Sequence, residues 1–130
     1  MANPNIVNVT QIYGKTTAIN PTTANATVLI NNAPFSNKVL KINNILATNI
    51  SGSAAAATVS LYTNGSVSQG GTPSGGSTFQ FVANVSVPST AALIVTDKST
   101  GFYLEEATSI VVSTGTANAL VFSVSYEEIA

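Results

Sequence analysis

The stretch Ala57-Thr58-Val59-Ser60-Leu61-Tyr62-Thr63 alternates between apolar and polar side chains, and Asn64-Gly65 follows it directly. Successive side chains of a β-strand point to opposite faces, so this alternation places Val59 and Leu61 together on one face of a sheet. Asparagine and glycine both tolerate the positive φ angles of tight turns. The stretch therefore predicts a half-buried strand that ends in a turn.

The same period of two recurs along most of the chain, whereas helical periodicity does not. The predicted strands cover residues 6–13, 26–30, 38–49, 57–63, 78–87, 91–95, 101–104, 108–114 and 119–127, with turn-forming residues between them. Gly14 is expected to end the first strand, and the long segment 38–49 is expected to bulge near Asn43-Asn44. The pattern predicts an all-β fold, namely an antiparallel, jelly-roll-like β-sandwich of about eight short strands.

The chain has 130 residues, which is near the usual size of one domain. The predicted organisation is an N-terminal strand or arm at residues 1–13 and a single β-sandwich domain at residues 14–130. The loop 65–77 is rich in glycine and serine, and it is predicted to be the most flexible segment. The predicted core positions are Val28, Ile30, Val39, Ile42, Ile45, Val59, Leu61, Phe79, Phe81, Val85, Leu93, Val95, Leu104, Ile110, Val112, Leu120, Phe122 and Val124.

Residue types that carry most enzyme chemistry are missing from the sequence. It contains no His, Cys, Trp or Arg, and only 7% of its residues are charged, against a typical value of about 25%. A histidine base, a thiolate nucleophile and an arginine clamp on phosphate are therefore excluded. We predict that the chain is not an enzyme and has no catalytic, cofactor-binding or metal-binding residues and no cofactor.

The carboxylates and the tyrosines leave two alternatives to a purely structural role. The adjacent pairs Glu105-Glu106 and Glu127-Glu128 could serve glycoside hydrolysis or bind Ca²⁺. Neighbouring residues on a strand point to opposite faces, so neither pair is expected to converge. Four tyrosines, which could form a platform for stacking sugars, are Tyr13, Tyr62, Tyr103 and Tyr126.

The distribution of charge also indicates which classes of partner are expected. The net charge of −1 gives no basic field for nucleic acid, and no apolar run is long enough to span a membrane. The first residues do not have the pattern of a signal peptide. The low charge fits either a surface rich in Thr, Ser and Asn that is soluble without charge or a surface covered by other subunits. Because interface cores are depleted of charge, we favour the second and expect a homo-oligomer that is possibly a trimer. The candidate assembly arm comprises Ile6, Val7, Val9, Ile12 and Tyr13.

Three parts of the chain carry a family resemblance. They are the opening segment 1–16, the segment 38–49 and the closing segment 103–129. Together they resemble small virion structural proteins of tailed phages, especially phages that infect cyanobacteria. At Glu106-Ala107-Thr108 the family pattern would have Glu-Gly-Asp. This departure affects the expectation of one tight turn and leaves the expected fold unchanged. The loop 65–77 lies outside the resemblance.

The resemblance implies a virion protein made in the host cytoplasm. We expect a non-enzymatic component that decorates or cements the capsid as an oligomer, with the major capsid protein or other virion proteins as partners. The alternatives are a neck-, tail- or fibre-associated virion protein and a carbohydrate-binding module for adhesion to the host.

Overall fold

Nine β-strands lie in the part of the chain that the computed structural model describes, residues 10–97, 99 and 101–130. All of their pairings are antiparallel, which confirms the predicted all-β sandwich. The strands are β1 (Ile12–Ile19), β2 (Thr27–Asn32), β3 (Val39–Asn49), β4 (Ala55–Tyr62), β5 (Thr78–Val87), β6 (Ala92–Thr96), β7 (Phe102–Leu104), β8 (Thr108–Thr114) and β9 (Leu120–Ile129).

The strands form two sheets that each combine distant parts of the chain. The first sheet has the order β1-β9-β3-β6, and β7 pairs with β3 beside β6. The second sheet has the order β2-β8-β4-β5. Because β6 and β7 pair with successive parts of β3, they share one position, so the sandwich has eight strand positions. Two four-stranded sheets with this alternating connection have the topology of a jelly roll.

Side chains from both sheets form the core between them. It contains Leu29, Leu40, Ile42, Ile45, Val59, Leu104, Ile110, Val112, Leu120, Phe122 and Val124, together with small residues. Leu29 was not predicted because the pairing of β2 with β8 shifts between Val28 and Ile30, and this irregularity lets three successive residues be buried. The predicted irregularity in β3 is confirmed, since its register with β9 shifts between Ile42 and Asn44.

Two sequence-based expectations are wrong. Phe79 and Phe81 are 59% and 44% exposed instead of buried, because β5 is an edge strand with no strand beyond it in the described chain. Gly14 does not end the first strand, because β1 pairs continuously with β9 from Ile12 opposite Ile129 to Ile19 opposite Phe122. The predicted boundary between residues 13 and 14 thus falls inside β1.

The glycine-rich loop lies against the second sheet. Val28 donates its N–H to the Gly71 carbonyl at 2.9 Å, and Gly70 donates to the Val28 carbonyl at 2.9 Å. Val67 packs on the buried side chains of Val28, Tyr62 and Val111. The loop that was predicted to be the most flexible segment therefore covers the edge of β2 through backbone hydrogen bonds and an apolar contact.

Two buried asparagines join the sheets at strand ends. Asn32, at the end of β2, donates to the carbonyls of Lys38 at 2.9 Å and Leu104 at 3.0 Å. Asn49, at the end of β3, donates to the carbonyls of Ser53 and Val87, both at 2.9 Å. Since Leu104 ends β7 and Val87 ends β5, each asparagine connects its own sheet to the other.

The turn after β7 keeps the shape that a glycine would favour. Ala107 has a φ of 62° and donates its N–H to the Asn32 carbonyl at 2.8 Å. This left-handed conformation costs a residue with a Cβ about 1–2 kcal/mol. The chain thus makes this tight turn with alanine in a conformation that favours glycine.

Candidate functional site

The candidate assembly arm lies only partly within the described residues. Ile6, Val7 and Val9 lie outside them. Ile12 and Tyr13 begin β1, where they pair with Ile129 and Glu128 of β9, and their side chains are 55% and 49% exposed. These two residues are therefore held by the chain's own sheet, with their side chains still accessible to a neighbouring molecule.

Glu128 is the centre of a three-residue ion-pair cluster. Its Oε2 atom lies 3.2 Å from Nζ of Lys15 on β1, and its Oε1 atom lies 3.2 Å from Nζ of Lys38, just before β3. Burial by itself raises the pKa of Glu128, but the hydrogen bonds and charges of Lys38 and Lys15 outweigh it and lower the pKa below its ordinary value. A carboxylate held in its charged form by two cations is a poor proton donor for acid catalysis at neutral pH.

The Glu128 cluster borders a cleft between the two sheets. The cleft has a volume of about 340 Å³, within the range of small-ligand sites. Its polar lining comprises Thr17, Asn31, Asn32, Ser36, Lys38, Gln69, Tyr126 and Glu128, and its apolar lining comprises Leu29, Ile30, Ala33 and Leu40. Gln69 of the glycine-rich loop donates to Thr17 Oγ1 at 2.8 Å, which connects the loop to the wall of the cleft.

The remaining carboxylates are dispersed. Glu127 accepts a hydrogen bond from Asn43 Nδ2 at 3.3 Å, whereas its neighbour Glu128 contacts the lysines. Glu106 is buried and accepts the N–H of Asn37 at 2.7 Å, whereas Glu105 is exposed. The members of each adjacent pair have different surroundings, and no group of three possible metal-ligating His, Cys, Asp or Glu side chains occurs in the described ranges.

The four tyrosines do not form one platform. Tyr62 is buried in the second sheet and accepts the Gly76 N–H at 2.9 Å. Tyr13 and Tyr103 are exposed but lie on strands at opposite edges of the first sheet. Tyr126 alone lines the cleft. The four tyrosines, which the sequence allowed as a sugar-stacking surface, therefore lie at separate places in the structure.

Charge is distributed unequally between the two sheets. Charged residues in the described strands are Lys15 on β1, Lys41 on β3, and Glu127 and Glu128 on β9. These three strands are adjacent in the first sheet, whereas β2, β8, β4 and β5 of the second sheet carry no charge. Edge strands often carry lysine, which discourages contact with other chains, and β5 lacks this protection.

We call the side of the sandwich at β5, β6 and β7 the open edge. Its defining residues are Phe79, Phe81 and Val82 on β5, Leu93 and Val95 on β6, and Phe102 on β7. The rings of Phe81 and Phe102 meet across the two sheets, with centroids 4.9 Å apart. Val82, Leu93, Val95 and Phe102 pack on the core but are only partly buried.

Comparisons with known proteins give little further information. No known protein family and no curated protein sequence matches the chain. A chain in the structure of the infectious bursal disease virus Gt strain is 14% identical over 93% of this chain and 40% of its own length, with a TM-score of 0.22. A chain of the T13 viral particle of the same virus is 14% identical over 90% and 39%, with a TM-score of 0.17. This chain spans about two fifths of those chains, and TM-scores this low establish no shared fold.

Among the residues that the structure describes, none forms a helix long and apolar enough to cross a lipid bilayer.

A pH-dependent contribution to stability is expected from the Glu128 cluster. The lowered pKa means that the folded state binds fewer protons than the unfolded state, so this contribution is full above the ordinary glutamate pKa of 4.5 and is lost as the pH falls through the folded value. Both lysines are nearly half exposed, so we expect no more than about 1 kcal/mol. Urea unfolding of wild type and Glu128→Gln should show a stability difference at pH 7 that shrinks below pH 4.5.

The matched control for this measurement is Glu105→Gln, because Glu105 is exposed and has no ion pair among the described residues. Its stability difference from wild type should be near zero across the same range. A difference for Glu128→Gln that does not change with pH would contradict the assigned role of the ion pairs.

Proposed function

We propose that this chain is a non-enzymatic structural component of a phage virion, and that it decorates or cements the capsid as a homo-oligomer. The observation that carries the proposal is the uncharged second sheet, together with the apolar open edge beside it. A surface without charge can be buried against another protein without leaving a desolvated ion behind. Surfaces of this kind favour association by packing over chemistry on a small substrate.

The fold is compatible with this role but does not decide it. Jelly rolls occur in viral capsid proteins and also in lectins. A shared fold does not imply a shared function, because function depends on the residues of the site. In the Glu128 cluster the carboxylate is paired with two lysines, which suits a structural contact.

The N-terminal segment is the proposed joining arm. Ile6, Val7 and Val9 are apolar, and no charged side chain occurs from residue 6 to residue 13, so the segment has the composition of one that can add to the edge of a neighbour's sheet. Ile12 and Tyr13 then anchor the arm to the subunit that supplies it, since they pair with β9 of the same chain.

Deletion of residues 2–9 tests the proposal, because it leaves all nine described strands intact. Particles assembled with the shortened chain should lose most of the bound subunits, because the arm would no longer reach a neighbour. Occupancy is measured by cryo-EM and gel densitometry of purified particles. The melting temperature of the free chain should be nearly unchanged, which separates loss of assembly from loss of folding.

Two results would contradict the proposal. Full occupancy of capsids by the shortened chain would show that the arm is not part of the assembly contact. If the intact chain labels only necks, tails or fibres, the neck-, tail- or fibre-associated role is supported instead of capsid decoration.

A second candidate function is carbohydrate binding in the cleft. The cleft of about 340 Å³ combines one aromatic side chain, Tyr126, with amide groups of Asn31 and Gln69. Aromatic faces and amide groups are well suited to contact sugar rings and hydroxyls. Glycan binding that Tyr126→Ala abolishes would favour an adhesion module.

A further inference from the structure

The hydrophobic core reaches the surface at the open edge. Phe79 is 59% exposed and Phe81 is 44% exposed, although Phe81 also contacts Phe102 of the other sheet. Behind these rings, Val82, Leu93 and Val95 pack on the core and remain partly accessible. Contiguous apolar surface of this kind is characteristic of sites that bind another protein.

The opposite side of the sandwich is partly covered by the chain itself. There the glycine-rich loop pairs with β2 at Val28, and Gln69 reaches Thr17 on β1. Of the described residues, none forms a strand beyond β5, and β6 and β7 likewise end their sheet. The fold therefore partly covers one lateral side and leaves the apolar side chains of the other accessible.

The chemistry of the open edge limits what can cover it. No charged residue occurs from residue 42 to residue 96, a range that includes all of β4, β5 and β6. None of the residues that define the open edge is ionic; the nearest charged residues in the described sequence are Asp97, which follows β6, and Glu105, which follows β7. A neutral, apolar partner surface fits the defining residues, and the open edge of another copy has this composition.

The whole side of the sandwich at β5, β6 and β7 approaches the size of a stable contact. The ten residues of β5 make it about 30 Å long, and two sheets about 10 Å apart with their outer side chains make it about 20 Å across. The product, about 600 Å², approaches the roughly 800 Å² per partner of a standard interface. It is near a tenth of the 6442 Å² surface of the chain.

We propose that the open edge binds the open edge of a second copy of this chain, forming a two-fold symmetric dimer. A two-fold contact places the same patch on both sides, so any charge in it would face a like charge. The absence of charge on β5 and β6 removes this repulsion. The inference rests on the proposed function, because the two-fold contact would be one of the contacts between subunits of the proposed homo-oligomer.

Phe79→Asp tests the proposal in the purified full-length chain. The substitution puts a carboxylate at the open edge of each subunit, where the two-fold contact would bury both. Phe79 is mostly exposed already, so folding should be retained. Sedimentation velocity over a concentration series should give a dimer for the wild type and a dissociation constant at least about 100-fold weaker for Phe79→Asp.

The matched control is Phe35→Asp. Phe35 is 74% exposed in the connection between β2 and β3 and is not part of the open edge, so the same substitution should leave the dimer intact. Thermal unfolding monitored by circular dichroism checks that both variants are folded. If Phe79→Asp does not fold, Phe79→Ser gives a milder test, for which we expect at least about 10-fold weaker dimerisation.

A wild-type monomer at micromolar concentration would overturn the inference, as would a trimer or any oligomer that Phe79→Asp leaves intact. These results are distinct from failure of the proposed function. A monomer that still binds capsids would overturn only the dimer, and a Phe79-dependent dimer that binds no virion component would overturn only the virion role.

Discussion

Replacing Gly65 with alanine is expected to lower the free energy of unfolding by more than about 3 kcal/mol. A Cβ at this position would meet three backbone atoms: the carbonyl oxygen of Asn32, and the oxygen and nitrogen of Thr108 at 2.6 and 2.7 Å. Backbone atoms cannot rotate away as a side chain can. The end of β2 or the start of β8 would have to move, and this movement would disturb the buried hydrogen bonds of Asn32.

The control for this prediction is Gly14→Ala. Nothing lies within 4 Å of a Cβ built on Gly14, which is in the middle of β1. This substitution should be neutral or slightly stabilising, because glycine in a strand loses more conformational freedom on folding than alanine does. Urea unfolding of both variants gives the comparison. Equal stabilities for the two variants would show that the β2–β8 end accommodates the methyl group.

Replacing Asn49 with alanine should lower the free energy of unfolding by about 3 kcal/mol or more. The side chain is 1% exposed, and its donors reach the carbonyls of Ser53 and Val87. Its Oδ1 atom accepts from the backbone N–H of Ser51 at 2.8 Å and from the Ser51 hydroxyl at 2.7 Å. Truncation leaves these groups without their partner at a place where two sheets meet.

Asn25→Ala is the control, because Asn25 is exposed in the β1–β2 connection and its side chain makes no hydrogen bond found in the described chain. We expect an effect within about 0.5 kcal/mol for this surface position. Thermal and urea unfolding should agree on the difference. A loss at Asn49 no larger than that at Asn25 would mean that water replaces the lost contacts at little cost.

The fold could be predicted from the sequence because period-two alternation is a local signal. Segments such as 78–87 and 108–114 match the observed strands, and turn residues separate them. The pairing of distant strands is not local, so the alternation does not show that β9 lies between β1 and β3. The wrong assignment of Phe79 and Phe81 to the core follows because strand pairing is not a local signal. Phe79 and Phe81 alternate like core residues, and only the position of β5 at an edge makes them exposed.

The candidate site was less accessible to sequence reasoning. The alternation of adjacent residues correctly separated Glu127 from Glu128. The lysines that contact Glu128 lie 113 and 90 positions earlier in the chain, and no local pattern connects them. The low total charge was evident from composition, but the absence of charged residues from all four strands of the second sheet became visible only when the sheet order was known.

The irregular pairing of β5 has a consequence for the free subunit before assembly. The register of β5 with β4 shifts twice, between Ala57 and Val59 and between Val59 and Ser60, and Asn84 in the same strand has a φ of 51°. A bulged edge is a poor template for adding further strands. Under the proposed virion role, the free subunit can thus accumulate with the apolar open edge exposed and still resist growth into fibrils, because the side chains of this edge favour contact while the β5 backbone interrupts the hydrogen-bond ladder.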